Sequence, residues 1–222
     1  MKQLGLFAKY WRPGAVKTRL AASLGAPIAS QIYFGFLTTL MCRFQDAGDQ
    51  RQVMYTPQAD RLAFERLVET MPWSLAPQSA GDLGTRLSHW FSTAAVTDTD
   101  GMVVIGSDSP NLPLDLVSEA FYGLSQHEIV IGPTEDGGYY LLGMRSFHAS
   151  LFSDIEWSTD QVFAQTMQRI ASLSAKCHVL RTWYDVDTLA DLHRLYADLD
   201  RERAEADVEL VRLRSILRPF LT

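Results

Sequence analysis

The chain has 222 residues and a formal net charge of −6, with 47% hydrophobic and 21% charged residues. That length suits one domain with a sizeable core, and the acidic balance argues against a surface that coats nucleic acid. No apolar run reaches the ~20 residues of a membrane span and the start lacks a secretory cleavage site, so a cytoplasmic protein with two reduced thiols, Cys42 and Cys177, is expected.

The run QLGLFA, Gln3 to Ala8, reads as a buried first strand, followed by the turn-rich segment AKYWRPGAVKTRL. From Pro27, the residues Ile28, Ile32, Phe36, Leu37, Leu40 and Phe44 recur at helical spacing and predict a long amphipathic helix. QVMYT is the next strand; Pro57 suits a helix start, with Leu62, Phe64, Leu67 and Val68 on its buried side. WSLAPQ is a weak strand, and AGDLGTRLSHWF is a glycine-bearing loop that feeds a helix. MVVIG, Met102 to Gly106, is the strongest strand; EIVIG, Glu128 to Gly132, nearly repeats it, with a helix from about Leu114 to Leu124 between them.

YYLLGM follows GPTEDGG too closely for a crossover helix, so the sheet is expected to be mixed. Ser158 and Gln161 stand at capping-box spacing before a further helix, CHVLRT is the last strand, and Thr188 with Asp191 forms a second box. Val208, Leu210, Val211, Leu213, Ile216 and Leu217 mark a terminal amphipathic helix. Continuous apolar strands alternating with helices predict an α/β fold with a mainly parallel sheet and helices on both faces. Ligands of such sheets sit at the carboxyl ends of the strands. The segments falling there, AKYWRPGAVKTRL, QSAGDLG, GSDSP, GPTEDGG and YDVDT, are all polar or glycine-rich.

The first of these loops is basic in an acidic protein. GAVKT is not a Walker loop, because Val16 stands where glycine must precede the lysine. Lys9, Arg12, Lys17 and Arg19, with Thr18 between the last two, suit a looser loop whose side chains approach one polyphosphate, Gly14 allowing close backbone approach. The plainer alternative is a solvated loop with ordinary charges. Asp108 lies at the tip of the MVVIG strand between Ser107 and Ser109, where a lone carboxylate suits Mg²⁺ or caps a turn. Asp185 and Asp187 in YDVDT share one side of an extended segment. Asp187 is the preferred second ligand and Asp185 a further one or its support; the alternative is that both merely decorate a helix N-terminus.

Glu135, Asp136, Gly137 and Gly138 read as an acceptor-binding loop or as an acidic tight turn. Gln78, Gly81, Asp82 and Gly84 are candidates to face a nucleobase, the alternative being a plain loop with Asp82 as a helix cap, and Trp157 is either a core anchor or a lid over the acceptor. The five histidines form no ligand spacing.

The motifs FAKYWRPGAVKTRLA, GSDSPNLP, GPTEDGGYYLLG, IEWST and YDVDTLADL resemble bacterial transferases named for neighbouring radical-SAM and selenoprotein-related genes and commonly described as glycosyltransferases. The resemblance runs from the first strand to about Leu199, which makes residues 1–199 a transferase domain and 200–222 a C-terminal helical segment packing on it or on a second copy in a homodimer. More distantly the chain is similar to the GT-A, or nucleotide-diphospho-sugar transferase, superfamily. That resemblance implies a three-layer α/β/α sandwich with a mixed sheet of about seven strands. It implies phosphate binding by Lys17 and Arg19, a metal on Asp108 and Asp187, and Gln78 and Gly84 near the base.

Such a fold hosts both nucleotidyl and glycosyl transfer. Many glycosyltransferases of this superfamily carry two acids at the Asp-x-Asp tip; here Ser107-Asp108-Ser109 has one, and the basic first loop suits a triphosphate. Both points favour a nucleotidyltransferase using Mg²⁺ or Mn²⁺, an NTP and a small-molecule acceptor, with Lys17, Arg19, Asp108 and Asp136 as catalytic candidates. A glycosyltransferase using a nucleotide sugar and a silent nucleotide-binding regulator are the alternatives. Neither nucleic acid nor membrane is expected as a partner.

Overall fold

Strand β1 (Lys2–Lys9) is the apolar run near the start of the chain, and it lies inside a seven-stranded sheet. The computed structural model describes residues 1–97, 99–200 and 206–221. β1 has parallel neighbours on both sides, β2 (Gln50–Thr56) and β4 (Gly101–Ile105). β3 (Ser74–Pro77) pairs parallel with β2 at one edge. Beyond β4, strand β6 (Tyr139–Met144) runs antiparallel to both β4 and β5 (Ile129–Pro133), and the short β7 (Cys177–Val179) pairs parallel with β5. The order is β3-β2-β1-β4-β6-β5-β7. The reversal at β6 follows from its short link to β5, residues 134–138, which a crossover cannot use.

β4 and β5 are buried at every position, as strands covered on both faces must be. One face packs against α2 (Ala26–Arg43), α3 (Arg61–Val68) and α5 (Leu114–Gly123) through Leu37, Leu40, Phe64, Leu116 and Ala120. The other packs against α4 (Leu83–Ala94) and α6 (Val162–Ser172) through Leu87, Phe91 and Ile170. A third core lies outside the sheet. There α1 (Thr18–Leu24), α7 (Leu189–Asp198) and α8 (Val208–Leu217) close on α2 with Leu20, Leu192, Leu195, Leu210, Leu213 and Leu217. Each such leucine contributes roughly 1.5–3 kcal/mol when fully buried.

Three local expectations need correction. α2 is not amphipathic: Leu37 and Leu40 face the sheet while Ile32 and Phe36 face the third core, so apolar residues occupy most of its circumference. The Ser158–Gln161 capping box does not form. Ser158 takes φ 67°, and α6 begins at Val162 without a side-chain cap. Residues 156–161 satisfy one another in a turn instead, with Thr159 Oγ1 donating to the Glu156 carbonyl. α1 was not signalled by periodicity, and Pro57 leads first into a 3-10 turn, Gln58–Asp60. The Thr188–Asp191 box does form. No helix among the described residues is long and apolar enough to cross a membrane.

Candidate active site

The carboxyl ends of β1, β4 and β5 and the start of β6 share one edge of the sheet. The loop after β1 descends to Lys17, which takes a left-handed backbone (φ 47°) as the N-cap of α1. The loop after β4 carries Asp108, and the segment after β7 carries Asp185 and Asp187. Backbone bonds stitch these loops together: Val186 N donates to the Asp108 carbonyl at 2.9 Å. The α7 capping box also holds Asp187, because Asp191 Oδ2 accepts from the backbone N–H of both Asp187 and Thr188.

Lys17 is the centre of the arrangement. Its ammonium is paired with Asp108 and lies 2.9 Å from Asp187 Oδ1. The Lys17 side chain is only 2% exposed, whereas Asp108 and Asp187 are 44% and 36% exposed. Burial by itself would lower the Lys17 pKa, but Asp108 and then Asp187 outweigh it and hold the pKa above the usual lysine value. Arg19 reaches Asp187 at 3.8 Å and is otherwise exposed. α2 backs the cluster. The Phe36 ring lies 5.7 Å from the ammonium, and the Tyr33 hydroxyl accepts from Lys9 N and bonds Ser107 Oγ at 2.9 Å. Burial, with Asp108 nearby, pushes the Tyr33 phenol up to about 12. Tyr33 was not singled out from the sequence, where it is one more aromatic in an apolar helix.

Asp185 accepts from Ser109 Oγ at 2.6 Å. Burial and the Asp108 charge push its carboxyl from 3.8 up to about 7. Between those values the folded chain binds more protons than the unfolded chain, so stability falls as pH rises through that window and the penalty is complete above it. Asp185→Asn removes the charge and keeps an acceptor for Ser109. In metal-free buffer the variant is therefore expected to melt higher than wild type at pH 8, with the gap closing toward pH 4. A gap that stays constant across that range in calorimetry refutes the assignment.

Several candidates stand apart from this cluster. Arg12 pairs with Asp60 at 3.2 Å, beyond β2, and the Lys9 side chain is exposed. Gly14 has φ 82° and open space at its Cα. Gln78 does not present a free amide to a base. Its Nε2 donates to the carbonyls of Ala8 and Met54, and its Oε1 accepts from Arg86, so it clasps β1 and β2. Arg86 Nε also occupies the Gly81 carbonyl, and Asp82 caps α4 through Thr85 N.

Gly84 is small for a packing reason, since a Cβ there would lie 2.3 Å from Trp157 Nε1. Trp157 thus anchors against α4 and the second core. Gly137, φ 88°, admits the backbone of its own chain: a Cβ would lie 2.1 Å from the Asp160 carbonyl oxygen. Glu135 is committed to Arg194 through two bonds of 2.6 and 2.8 Å. Asp136 is exposed, with Oδ1 accepting from Thr134 Oγ1 and the Gly138 N–H.

Two cavities open beside other residues. One of about 1220 Å³ opens between Arg43, Trp183 and Asp207, and one of about 380 Å³ beside Glu135, Tyr184 and Arg194. Neither is lined by Lys17, Asp108 or Asp187. Among the described residues no group of three or more His, Cys, Asp or Glu surrounds one metal position. A hard divalent ion needs fewer, since Mg²⁺ is commonly held by one or two carboxylates with phosphate and water completing its shell. Asp108 and Asp187 converge on a single cation and stay partly open to solvent, so the donor set fits such an ion.

Residues 39–159 match the model of the family described as "Uncharacterized protein conserved in bacteria (DUF2064)". The chain belongs to this family. No curated protein matches it. The DUF2064 chain is similar to a crystal structure from Desulfovibrio desulfuricans G20, provisionally described as a nucleotide-diphospho-sugar transferase. Identity is 30% over 99% of this chain and 97% of that one, with a TM-score of 0.89. The inositol-1-phosphate CTP transferase of T. maritima matches at 13% identity and TM-score 0.57, covering 100% of this chain and 98% of its own. A manganese complex of Rv0371C from Mycobacterium tuberculosis H37Rv matches at 13% and 0.52, covering 87% and 97%. The fold of this DUF2064 protein is that of the nucleotide-diphospho-sugar transferases, and its solved neighbours include transferases.

Proposed function

We propose that this protein is a metal-dependent nucleotidyltransferase that moves NMP from an NTP to a small phosphorylated or hydroxyl acceptor, releasing pyrophosphate. The observation that carries the reading is the Lys17 ammonium buried between two half-open carboxylates, Asp108 and Asp187, at the carboxyl edge of the sheet. Asp108 and Asp187 already match the charges of Lys17 and Arg19, and Asp185 adds negative charge as it ionises, so the cluster carries no surplus of positive charge. A bare polyphosphate is not attracted by that balance. A divalent ion bound by Asp108 and Asp187 supplies the missing positive charge at the phosphate oxygens.

In the reaction, an acceptor oxygen bonds to the α-phosphorus while the bond to the α–β bridging oxygen breaks, and its electron pair leaves with pyrophosphate. Lys17 and the exposed Arg19 neutralise the leaving group, an electrostatic form of catalysis. A phosphate acceptor needs no base. For a hydroxyl acceptor, Asp136 has the oxygen Oδ2 for the proton while Thr134 and Gly138 hold Oδ1. The name of the T. maritima neighbour, a CTP transferase, and the manganese of the M. tuberculosis complex accord with this chemistry.

Glycosyl transfer is the second reading, favoured by the description of the D. desulfuricans relative. A thermal-shift panel of NTPs and nucleotide sugars, with and without Mg²⁺ or Mn²⁺, separates the two, because ligands of the native state raise Tm. The expected result is a metal-dependent rise with one NTP, followed by pyrophosphate release when phosphorylated acceptors are added. A rise confined to UDP- or GDP-sugars, with NDP release, would establish the glycosyltransferase instead. A rise without turnover of either kind would indicate a silent nucleotide-binding protein.

A further inference from the structure

We propose that Lys17 makes the two-aspartate site selective for a metal–polyphosphate complex and closes it to the free divalent ion. This rests on the nucleotide-binding reading above and assigns its order of assembly. The Lys17 ammonium occupies the place between Asp108 Oδ1 and Asp187 Oδ1 that a metal ion bridging them would need. Of its other surroundings only Asp185 is a further carboxylate close enough to act on Lys17, and it is already held by Ser109 Oγ at 2.6 Å. The Phe36 ring lies 5.7 Å away, and the Tyr33 hydroxyl is spent on Lys9 N and Ser107. Arg19, the other cation near Asp187, adds further positive charge on that side.

Lys17 holds Oδ1 of both carboxylates, so it must leave before a metal ion can bridge those two atoms. Leaving without a new partner strands a buried charge, which is strongly unfavourable. A bare divalent ion brings no oxygen to receive the ammonium and would set two further positive charges beside it. A polyphosphate brings that oxygen. The four-carbon stem of Lys17 lets its compact charge swing from carboxylate to phosphate without moving the backbone. Lys17 thus exchanges one set of anionic oxygens for another and frees Asp108 and Asp187 in the same event. Metal and nucleotide then raise each other's affinity by the same factor.

The test is Mn²⁺ uptake, with Mn²⁺ alone and with Mn²⁺ plus ATP, GTP, CTP or UTP. It is read from the paramagnetic resonance signal of the free ion after equilibrium dialysis against protein-free solution of the same nucleotide, because nucleotides bind Mn²⁺ themselves. Wild type is expected to take up Mn²⁺ only with nucleotide. Lys17→Met keeps the stem and removes the charge. It is expected to bind Mn²⁺ alone on the order of 5–150-fold more tightly than wild type and to lose most of the nucleotide's enhancement. Circular dichroism checks that the variant is folded, and the wild-type comparison stands without it.

Equal Mn²⁺ binding by wild type with and without nucleotide overturns the exclusion while leaving the proposed function in place. Nucleotide-dependent uptake by wild type, with a folded Lys17→Met no tighter for Mn²⁺ alone, removes Lys17 from the role. Absence of uptake by both proteins under every condition removes the ion site, and with it both this inference and the proposed function.

Discussion

Lys17→Ala is expected to lower turnover about 10²–10³-fold, the usual cost of deleting one preorganised charge-stabilising contact. The measurement is pyrophosphate release with whichever nucleotide and acceptor support the wild-type reaction. The variant should still fold. Lys17 caps α1 without a side-chain bond, and the two carboxylates it leaves are exposed enough for water to screen them. Arg12→Ala is the matched comparison within the same basic loop. Its guanidinium is exposed and turned to Asp60, so its loss should change turnover by less than about tenfold, as for a surface ion pair. Equal losses in the two variants would mean that the loop acts through general positive charge, and full activity in Lys17→Ala would exclude the phosphate role.

Arg43→Ala is expected to destabilise the chain by roughly 3–5 kcal/mol, the cost of removing one partner from a buried ion pair. For a chain of this size that corresponds to a fall of about 6–20 °C in Tm. The Arg43 side chain is only 5% exposed and lies at the end of α2. Its Nε donates to Asp207 at 2.7 Å, and one terminal nitrogen donates to the carbonyls of Pro110 and Leu112. One side chain therefore joins α2, the loop that continues from Asp108, and the N-cap of α8. Its removal leaves one carboxylate oxygen and two carbonyls without their donor at once, while Asp207 Oδ1 keeps its cap bonds to the Glu209 and Leu210 N–H groups. Thermal and urea unfolding would measure the loss. A change below about 1 kcal/mol would mean that water replaces the clasp and that α8 is held by its leucines alone.

The loop contents and the strand pattern were legible because they depend on local chemistry. β4 and β5 announce themselves as uninterrupted apolar runs, and the short link between β5 and β6 requires the one reversed strand. The Thr188–Asp191 box is a contact within one helical turn, so its residue types suffice to predict it. The Ser158–Gln161 box has the same spacing and does not form. Turn bonds around Glu156 and Thr159 compete for that backbone, and spacing alone carries no information about the winner.

The glycines divide along the same line. A glycine in a loop signals close approach, but not what approaches. At Gly84 it is the Trp157 indole, and at Gly137 the Asp160 carbonyl, rather than the base or acceptor that the sequence suggested. Gln78 and Glu135 likewise carry the right groups for a ligand yet spend them on Ala8, Met54, Arg86 and Arg194. Hydrogen-bonding capacity belongs to a residue; its use belongs to the neighbours that folding supplies.

By itself the sequence determined the alternation of strands and helices, the mixed sheet, and the placing of polar loops at one set of strand ends, because periodicity and turn chemistry act over a few residues. Only the tertiary structure decided which charges meet. Lys17 and Asp187 are 170 positions apart, and their 2.9 Å contact exists because α2, α7 and the loop stitched to Asp108 pack into one body. The same packing turns Arg12 toward Asp60 and leaves Lys17 buried, a division between two cations of one loop that no local pattern encodes.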